Sequence, residues 1–190
     1  MIVKLKNVRL AFADLFQPKS VANGNPTFSA AFIMEPDSPN VSNIETAMKD
    51  VAVAKWGAKG EKIFNKLKED KKVCLKDGNK NTNKEGDVYS GFEDMMYVSA
   101  NNPERPMLLD RNGVDELTRA DGKPYAGCYV FASVDIWAQD NDYGQRINAQ
   151  LRGVQFYKDG DAFAGGTPVS NEEFDDLGDG ADADDLEDLA

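Results

Sequence analysis

Polar and apolar residues alternate with a period of two along residues 128–137, the pattern of a β-strand with one buried face. The predicted core face is small or aliphatic throughout: Cys128, Val130, Ala132, Val134 and Ile136. The opposite face carries three large aromatic residues among polar ones, namely Tyr129, Phe131 and Trp137. Such a cluster is unusual on a face that meets only water, so it is a candidate binding surface.

A second alternating stretch, residues 145–158, follows a polar loop at 139–144 and predicts a partner strand. Its predicted inward residues are Ile147, Ala149 and Leu151, and its predicted outward residues are Arg146, Asn148, Gln150 and Arg152. Gly153 predicts a bulge that shifts the register of the following residues, and Asp159-Gly160 predicts a hairpin turn. If the two strands pair, the aromatic face lies beside the two arginines and Tyr157.

Helical periodicity marks an insertion at about residues 42–86 in a chain that is otherwise mainly strands. Ser42 and Glu45 have the spacing of a capping box, and Gly57 predicts the end of that first helix. Residues 60–70 predict a second amphipathic helix, and residues 76–87 predict an exposed loop. Strands are predicted before the insertion at 3–16 and 27–35, and after it around 95–102 and 105–110. The pattern predicts a mainly β fold with inserted helices.

Charge divides the chain into two unequal parts. The sequence has 22 basic and 33 acidic residues and a formal charge of −11. Residues 171–190 hold ten of the carboxylates and no Lys or Arg, which leaves a nearly neutral body of 22 basic and 23 acidic residues. A like-charged segment with few apolar groups cannot form a core, so we expect one domain at 1–170 and a disordered acidic tail. The tail carboxylates are Glu172, Glu173, Asp175, Asp176, Asp179, Asp182, Asp184, Asp185, Glu187 and Asp188.

Composition excludes most catalytic and metal chemistry. The chain has no histidine, which removes His-based acid–base catalysis and most zinc sites, and its two cysteines, Cys74 and Cys128, lack zinc-finger spacing. Leu177 and Leu186 stand where a calcium loop starting at Asp175 would need oxygen ligands. We therefore expect no enzyme activity, no metal and no cofactor. We also expect an intracellular protein without a membrane span, because the sequence shows no signal peptide and no long apolar run.

A local excess of lysine marks a second candidate binding site. Residues 49–84 contain eleven lysines and five acidic residues. These lysines either form a solvated helix face and loop, or they contact phosphates, since ammonium groups attract polyanions without needing strict geometry. The candidate phosphate contacts in this region are Lys59, Lys62, Lys66, Lys72, Lys76 and Lys80.

Aromatic rings next to arginines suit unpaired nucleic-acid bases and their phosphates. The residues support a hypothesis in which Tyr129, Phe131, Trp137 and Tyr157 stack bases while Arg146 and Arg152 contact phosphates. The alternative is that these rings pack under the helical insertion as a second core. A tethered polyanionic tail could occupy the same cationic surface, leave it when nucleic acid binds, and then dock a partner protein. The alternative for the tail is a solubilising segment without specific contacts.

The chain also resembles a family of bacteriophage single-stranded DNA-binding proteins first catalogued as a domain of unknown function. The resemblance rests on "VRLAFADLFQPK", on Arg105, Pro106 and Asp110, and on residues 121–166. It covers most of residues 4–166, with an acidic tail following. It implies an OB-fold, a five-stranded Greek-key barrel, that coats single-stranded DNA in phage replication, recombination or repair in the infected host's cytoplasm. It also implies that the tail recruits replication or recombination proteins.

Two rival functions remain open from the residues. One is a protein-interaction or virion structural component, for which the aromatic face is an interface. The other is a metal-dependent nuclease that uses carboxylates such as Asp87, Glu93, Asp94 and Asp135. The choice between DNA and RNA, and the possibility of a homo-oligomer, are also left open.

Overall fold

The computed structural model describes residues 1–20 and 24–163, so the predicted acidic tail lies outside the described residues. The described residues form seven β-strands and two α-helices. The strands are β1 (Ile2–Lys19), β2 (Thr27–Met34), β3 (Leu75–Asp77), β4 (Met96–Asn102), β5 (Met107–Leu109), β6 (Tyr129–Asn141) and β7 (Gly144–Lys158). The helices, α1 (Pro39–Trp56) and α2 (Gly60–Glu69), lie between β2 and β3.

Five of the strands close into a barrel. Antiparallel pairings join β4 to β2, β2 to β1, β1 to β6 and β6 to β7. A parallel pairing of Asn101 with Gln150 then joins β4 to β7 and completes the circle. Closure leaves these strands without free edges along the barrel wall. The predicted fold class, a mainly β OB-type barrel with inserted helices, is confirmed.

Strand β1 takes part in both halves of the barrel because its pairing is irregular at several points. Its register with β6 shifts between Leu5 and Val8, and its register with β2 shifts between Ala11 and Asp14. The residues Asn7 (φ 52°) and Phe12 (φ 46°) have left-handed backbones at these two shifts. Bulges of this kind increase local twist, which lets one strand pair with β6 early in its course and with β2 later.

The predicted alternation along β6 and β7 is confirmed. The predicted inward residues of β6 are at most 5% exposed, and Ile147, Ala149 and Leu151 of β7 are equally buried. The predicted bulge is also present, since Ser133 pairs with Gly153 while the next residue, Val134, pairs with Leu151. The extra residue restores the inward direction of Val154 and Phe156 beyond the bulge.

The predicted start of α1 is wrong, because the helix begins one turn before the Ser42–Glu45 pair. Ser38 is the N-cap, its Oγ accepts a hydrogen bond from the Asn40 backbone N–H at 3.2 Å, and Pro39 follows at the first helical position. Proline suits this position because the missing N–H would have no helical acceptor there. The predicted end at Gly57 and the predicted second helix are both observed.

Both helices pack against the barrel core and leave the aromatic face of β6 uncovered. The buried side of α1, including Ile44 and Met48, belongs to the same apolar cluster as the barrel interior, as does Phe64 of α2. The aromatic residues Tyr129, Phe131 and Trp137 belong to neither apolar cluster of the described residues. The alternative in which the insertion buries these rings is therefore wrong.

The turn predicted at Asp159-Gly160 does not lead into another strand within the described residues. The segment instead runs back beside the start of β6, where the Tyr125 hydroxyl donates to Asp159 Oδ1 at 2.8 Å. A Cβ on Gly127 would lie 2.2 Å from the Asp161 carbonyl oxygen, so this close approach requires glycine. The segment ends with Phe163 against the outer side of β1.

Removing the observed cap should destabilise the protein, and removing the predicted one should not. We expect Ser38→Ala to lower the free energy of unfolding by about 1 kcal/mol, because the first helical turn loses a side-chain acceptor. Ser42→Ala is the matched control, since alanine is favourable inside a helix. Urea unfolding followed by circular dichroism measures both. Equal losses in the two variants would contradict the observed helix start.

Candidate nucleic-acid interface

The outer face of β6 and β7 presents aromatic rings that are only partly covered. Phe131 and Tyr157 are half-buried, and their ring centroids lie 5.1 Å apart with planes inclined at 34°. Trp137, further along β6, is 43% exposed. Offset rings of this kind leave flat π surfaces open to a further ring.

Phe131 lies on the floor of a groove of about 340 Å³ that crosses the outer side of the sheet from β1 to β5. We call this groove the aromatic trough. Lys4 and Lys6 of β1 line one side, and Met107, which is 62% exposed, lines the other. Gly153 forms part of the floor, where the absence of a side chain keeps the trough open. The trough therefore combines an apolar floor with positive charge on one wall.

Two further cations lie over the aromatic rings next to the trough. The Arg111 guanidinium carbon is 5.5 Å from the centre of the Tyr157 ring, and the Lys158 ammonium is 4.7 Å from the centre of the Tyr129 ring. Both distances are within the range of a cation–π attraction. The cations hold the rings in place and add positive potential where an anionic ligand would lie.

A second groove, which we call the basic cleft, has a volume of about 220 Å³. Its lining is polar and includes the charged residues Lys71, Lys72, Lys76 and Arg146 together with Ser99, Asn101 and Asn148. The Lys72 carbonyl oxygen accepts a hydrogen bond from the Ile147 backbone N–H at 3.0 Å, which fastens the segment after α2 to β7. None of the described lining residues is acidic. Four cations without a lining carboxylate make a site for phosphate groups.

The two grooves lie along one strand. Arg146 and Asn148 of β7 line the basic cleft, Gly153 and Gln155 line the aromatic trough, and Gln150 lies between them. At about 3.4 Å per residue, the distance from Arg146 to Gln155 is roughly 30 Å. The outer face of β7 thus carries a cationic groove at one end and a groove with exposed aromatic surface at the other.

The structure brings together some of the predicted site residues and separates others. Phe131 lines the trough, with Tyr157 stacked on it and Tyr129 nearby. Lys72, Lys76 and Arg146 line the cleft, and Trp137 pairs with Asn148 beside it. Arg152 is exposed at the bulge between the two grooves. Lys80 forms an ion pair with Asp77 at 3.2 Å. The α2-side lysines Lys59, Lys62 and Lys66 are exposed but line neither groove.

Sequence reasoning missed residues that reach the trough from other strands. Lys4 and Lys6 alternate with apolar residues in "VKLKN", a period-two signal that would have placed them on an outer face. Met107 and Arg111 showed no such signal, because β5 and the turn after it are distant from β7 in sequence and meet it only in the folded protein. Tyr143, at the tip of the β6–β7 hairpin, is 90% exposed and was also missed. An aromatic residue within a polar turn is its only sequence signal.

A hydrogen bond from α1 holds the outer end of the β6–β7 hairpin. The Trp56 indole Nε1 donates to Asp140 Oδ2 at 2.7 Å, and Gln145 Nε2 donates to the same oxygen at 3.2 Å. The hydrogen bonds from Trp56 and then Gln145 lower the pKa of Asp140 below its usual value. Beyond Ile136 the hairpin has no pairing with β1. The Trp56–Asp140 hydrogen bond therefore helps to fix the part of the hairpin that bears Trp137, Tyr143 and Arg146.

The carboxylates considered for a nuclease do not converge. Asp135 accepts a hydrogen bond from the N-terminal ammonium at 2.6 Å on β6, whereas Glu93 accepts from the Gly91 N–H at 2.8 Å in a loop. Within residues 1–20 and 24–163, no three acidic or cysteine side chains group as metal ligands would.

Burial raises the pKa of Cys74 to about 12 and that of Cys128 to about 11, which keeps both thiols protonated and unreactive. No helix in the described part of the chain is long and apolar enough to cross a membrane.

The family model of the Enterobacter phage Enc34 single-stranded DNA-binding protein matches residues 1–187. Protein p50 of Acyrthosiphon pisum secondary endosymbiont phage 1 is 45% identical over 181 residues, which are 93% of this chain and 94% of that one.

Two solved structures of the bacteriophage Enc34 single-stranded DNA-binding protein are also similar. The complex with single-stranded DNA is 24% identical, with a TM-score of 0.69 over 86% of this chain and 89% of that one. A second structure of that protein is 26% identical, with a TM-score of 0.61 over 92% of this chain and 90% of that one. The chain belongs to the Enc34 phage single-stranded DNA-binding protein family. This confirms the family resemblance and the expectation that the chain is not an enzyme.

The Trp56 contact gives a pH-dependent prediction. In Trp56→Phe the ring is kept but the N–H donor is lost, so we expect the pKa of Asp140 to rise toward its ordinary value. Because the folded pKa of Asp140 is lowered, its stabilising effect is present above the ordinary value of 3.8 and is lost as the pH falls through the lowered value. Carboxyl ¹³C NMR titration measures the pKa in both proteins. An unchanged Asp140 titration would show that the indole does not hold the hairpin.

Proposed function

We propose that this member of the Enc34 family binds single-stranded DNA with little sequence preference along the outer face of β7. It would coat single strands during phage replication, recombination or repair in the cytoplasm of the infected host. The observation that carries the proposal is that the basic cleft and the aromatic trough lie along one strand, β7. Family membership supports the same ligand.

A single strand fits the outer face of β7 better than a duplex because its bases are free to stack. Every base has a flat π-face, and base–aromatic stacking contributes about 1–3 kcal/mol per base without reading base identity. In the trough, Phe131 and Tyr157 supply such surfaces, and Trp137 and Tyr143 supply others on the hairpin. A duplex would keep its bases stacked on one another and could use only the cations.

Phosphate contacts would give most of the affinity and make it depend on salt. Lys72, Lys76 and Arg146 line the cleft and Lys4 and Lys6 line the trough, so they would contact the backbone of a strand lying along β7. Each neutralised phosphate of a single strand contributes about −0.7 to the slope of log K against log salt. Binding that uses these cations should therefore weaken steeply as salt rises.

The acidic tail would compete with DNA for the same cations. The chain leaves the described region at Phe163, whose ring centre is 4.1 Å from the Arg9 guanidinium, and Arg9 also donates to the Asp161 carbonyl at 2.8 Å. The 27 residues after Phe163 can span at most about 90 Å, which is ample to reach β7 around the barrel. When DNA binds along β7, the tail carboxylates would be released to recruit a replication or recombination protein.

Removing one flat surface should weaken binding without unfolding the protein. We expect Phe131→Leu, which keeps apolar bulk at the trough floor, and Trp137→Ala to reduce affinity for a thirty-base oligo(dT) by about tenfold, one stacking interaction each. Fluorescence anisotropy at moderate salt measures this, with a duplex of equal length for comparison. Val53→Ala, an exposed change on α1, is the control. Unaltered affinity in both folded variants would remove the aromatic face from the DNA site.

Deleting residues 171–190 should strengthen DNA binding, most of all at low salt. The truncated chain loses ten carboxylates that compete for the basic cleft, and salt screens this competition. Anisotropy titrations of the full and truncated chains at two salt concentrations give the comparison. A tail in which the ten carboxylates are replaced by their amides tests charge at constant length. Equal affinities for the full and truncated chains at low salt would exclude competition by the tail.

A further inference from the structure

A second aromatic surface lies on a different side of the barrel from the aromatic trough. Phe12 and Tyr89 are 49% and 39% exposed, and their ring centroids are 5.1 Å apart in an edge-to-face arrangement. The Phe12 ring centroid lies 5.5 Å from that of Phe92, which is 1% exposed and belongs to an apolar cluster on the outer side of β1, β2 and β4. We call Phe12, Tyr89 and the acidic loop residues around Tyr89 the acidic aromatic patch.

The backbone of Phe12 is strained at the bulge in β1. Its φ of 46° is in the left-handed region, at the bulge where the register of β1 with β2 shifts between Ala11 and Asp14. A bulky residue in this region is a genuine outlier, and such strain persists at functional positions more often than elsewhere. Here a strained backbone displays a large apolar ring to solvent. A polar residue such as asparagine would fit the same conformation more easily.

The charges around this patch disfavour nucleic acid. Residues 84–94 contain four exposed acids, Glu85, Asp87, Glu93 and Asp94, against one exposed base, Lys84. The nearby Arg9 is already engaged by the Gly127 and Asp161 carbonyl oxygens and the Phe163 ring, and Lys19 is paired with Asp14. Phosphate groups and the acidic tail would both be repelled. The chemistry suits a basic protein surface that brings some apolar contact.

The chain itself carries such a surface on α2. Lys59, at the N-cap, and Lys62 and Lys66 within the helix are spaced to share one face, and all three are exposed. Among the described residues, none of the three forms an ion pair. The partly buried Ile63 lies between them. These lysines line neither the cleft nor the trough, which leaves them available to another molecule.

We propose that the acidic aromatic patch of one molecule docks against the Lys59–Lys62–Lys66 face of α2 in a second copy bound to the same DNA strand. The two patches differ, so the contact is head-to-tail and can repeat from copy to copy. Copies held on one strand are at high effective concentration, so a contact that forms in free solution only at high protein concentration forms readily on DNA. The result is cooperative coating. This inference rests on the proposed DNA binding.

The test compares one short and one long strand. Phe12→Asn removes the ring at a φ that asparagine tolerates, so the variant should fold. We expect its affinity for an oligo(dT) that holds one molecule to stay within about twofold of the wild type. On a long poly(dT), where neighbours touch, we expect the apparent affinity to fall about tenfold and the binding curve to lose its sigmoidal shape. Val114→Asn, which changes a residue 78% exposed outside the patch, is the matched control.

Charge reversal tests the pairing directly. Lys62→Glu with Lys66→Glu should abolish cooperativity on poly(dT), as should Glu85→Lys with Asp87→Lys. Combining all four substitutions in one chain should restore it, since each interface then has opposite charges again. Restored cooperativity in this variant cannot result from misfolding or from lost DNA contacts, because either defect would persist when the substitutions are combined.

Three results would overturn the proposal. The first is wild-type binding to poly(dT) without cooperativity, and the second is cooperativity that survives in Phe12→Asn and in both charge reversals. The third is a loss of short-oligo affinity in Phe12→Asn, which would assign the patch to the DNA site. If no protein, wild type included, binds the short oligo, the proposed function itself is wrong. Sedimentation velocity of the concentrated wild type against Phe12→Asn then decides the contact, and equal sedimentation would refute it.

Discussion

The antiparallel ladder between β6 and β7 is the constraint on which the core and the candidate site both depend. It runs from Asn141 opposite Gly144 to Tyr129 opposite Lys158. Because side chains alternate with a period of two, the register that places Val134 and Leu151 inside also places Phe131 and Trp137 outside. A slip of one residue would bury the aromatic rings and expose the aliphatic core. Stability thus enforces the geometry of the binding surface.

The bulge at Arg152 and Gly153 makes one strand serve two surfaces. If the same residues paired without a bulge, Val154 and Phe156 would face outward and the second half of β7 would lose its place in the core. The bulge instead restores the core and leaves Gly153 on the outer face, where a Cβ would come within 3.0 Å of the Met107 carbonyl oxygen. The close approach of β5 that this permits forms a wall of the trough. A local irregularity therefore links packing to site shape.

Sequence patterns predicted the parts of the structure that depend on local alternation. The faces of β6 and β7, the bulge at Gly153 and the second helix follow from side-chain periodicity within a few residues. The start of α1 was missed because Ser42 imitates a cap, while Ser38 followed by Pro39 was the stronger signal. The trough was only half predicted, since Lys4, Met107 and Arg111 come from separate strands and turns that meet through barrel closure. Helix periodicity alone could not show that Lys62 faces away from both grooves.

Charge is sorted by side in a body that is almost neutral. Several described cations lie along β7 and α2, whereas the acids of 85–94 lie on the β1–β2–β4 side, where Lys76 and Lys84 are the neighbouring cations. A body with evenly mixed charges would have no region of positive electrostatic potential that attracts a polyanion to one surface. The proposed attraction of DNA and of the acidic tail to β7 depends on this uneven distribution of charge. The same sorting makes unlike sides of two molecules complementary, so a net charge of −11 is compatible with binding a polyanion and with contact between neighbours.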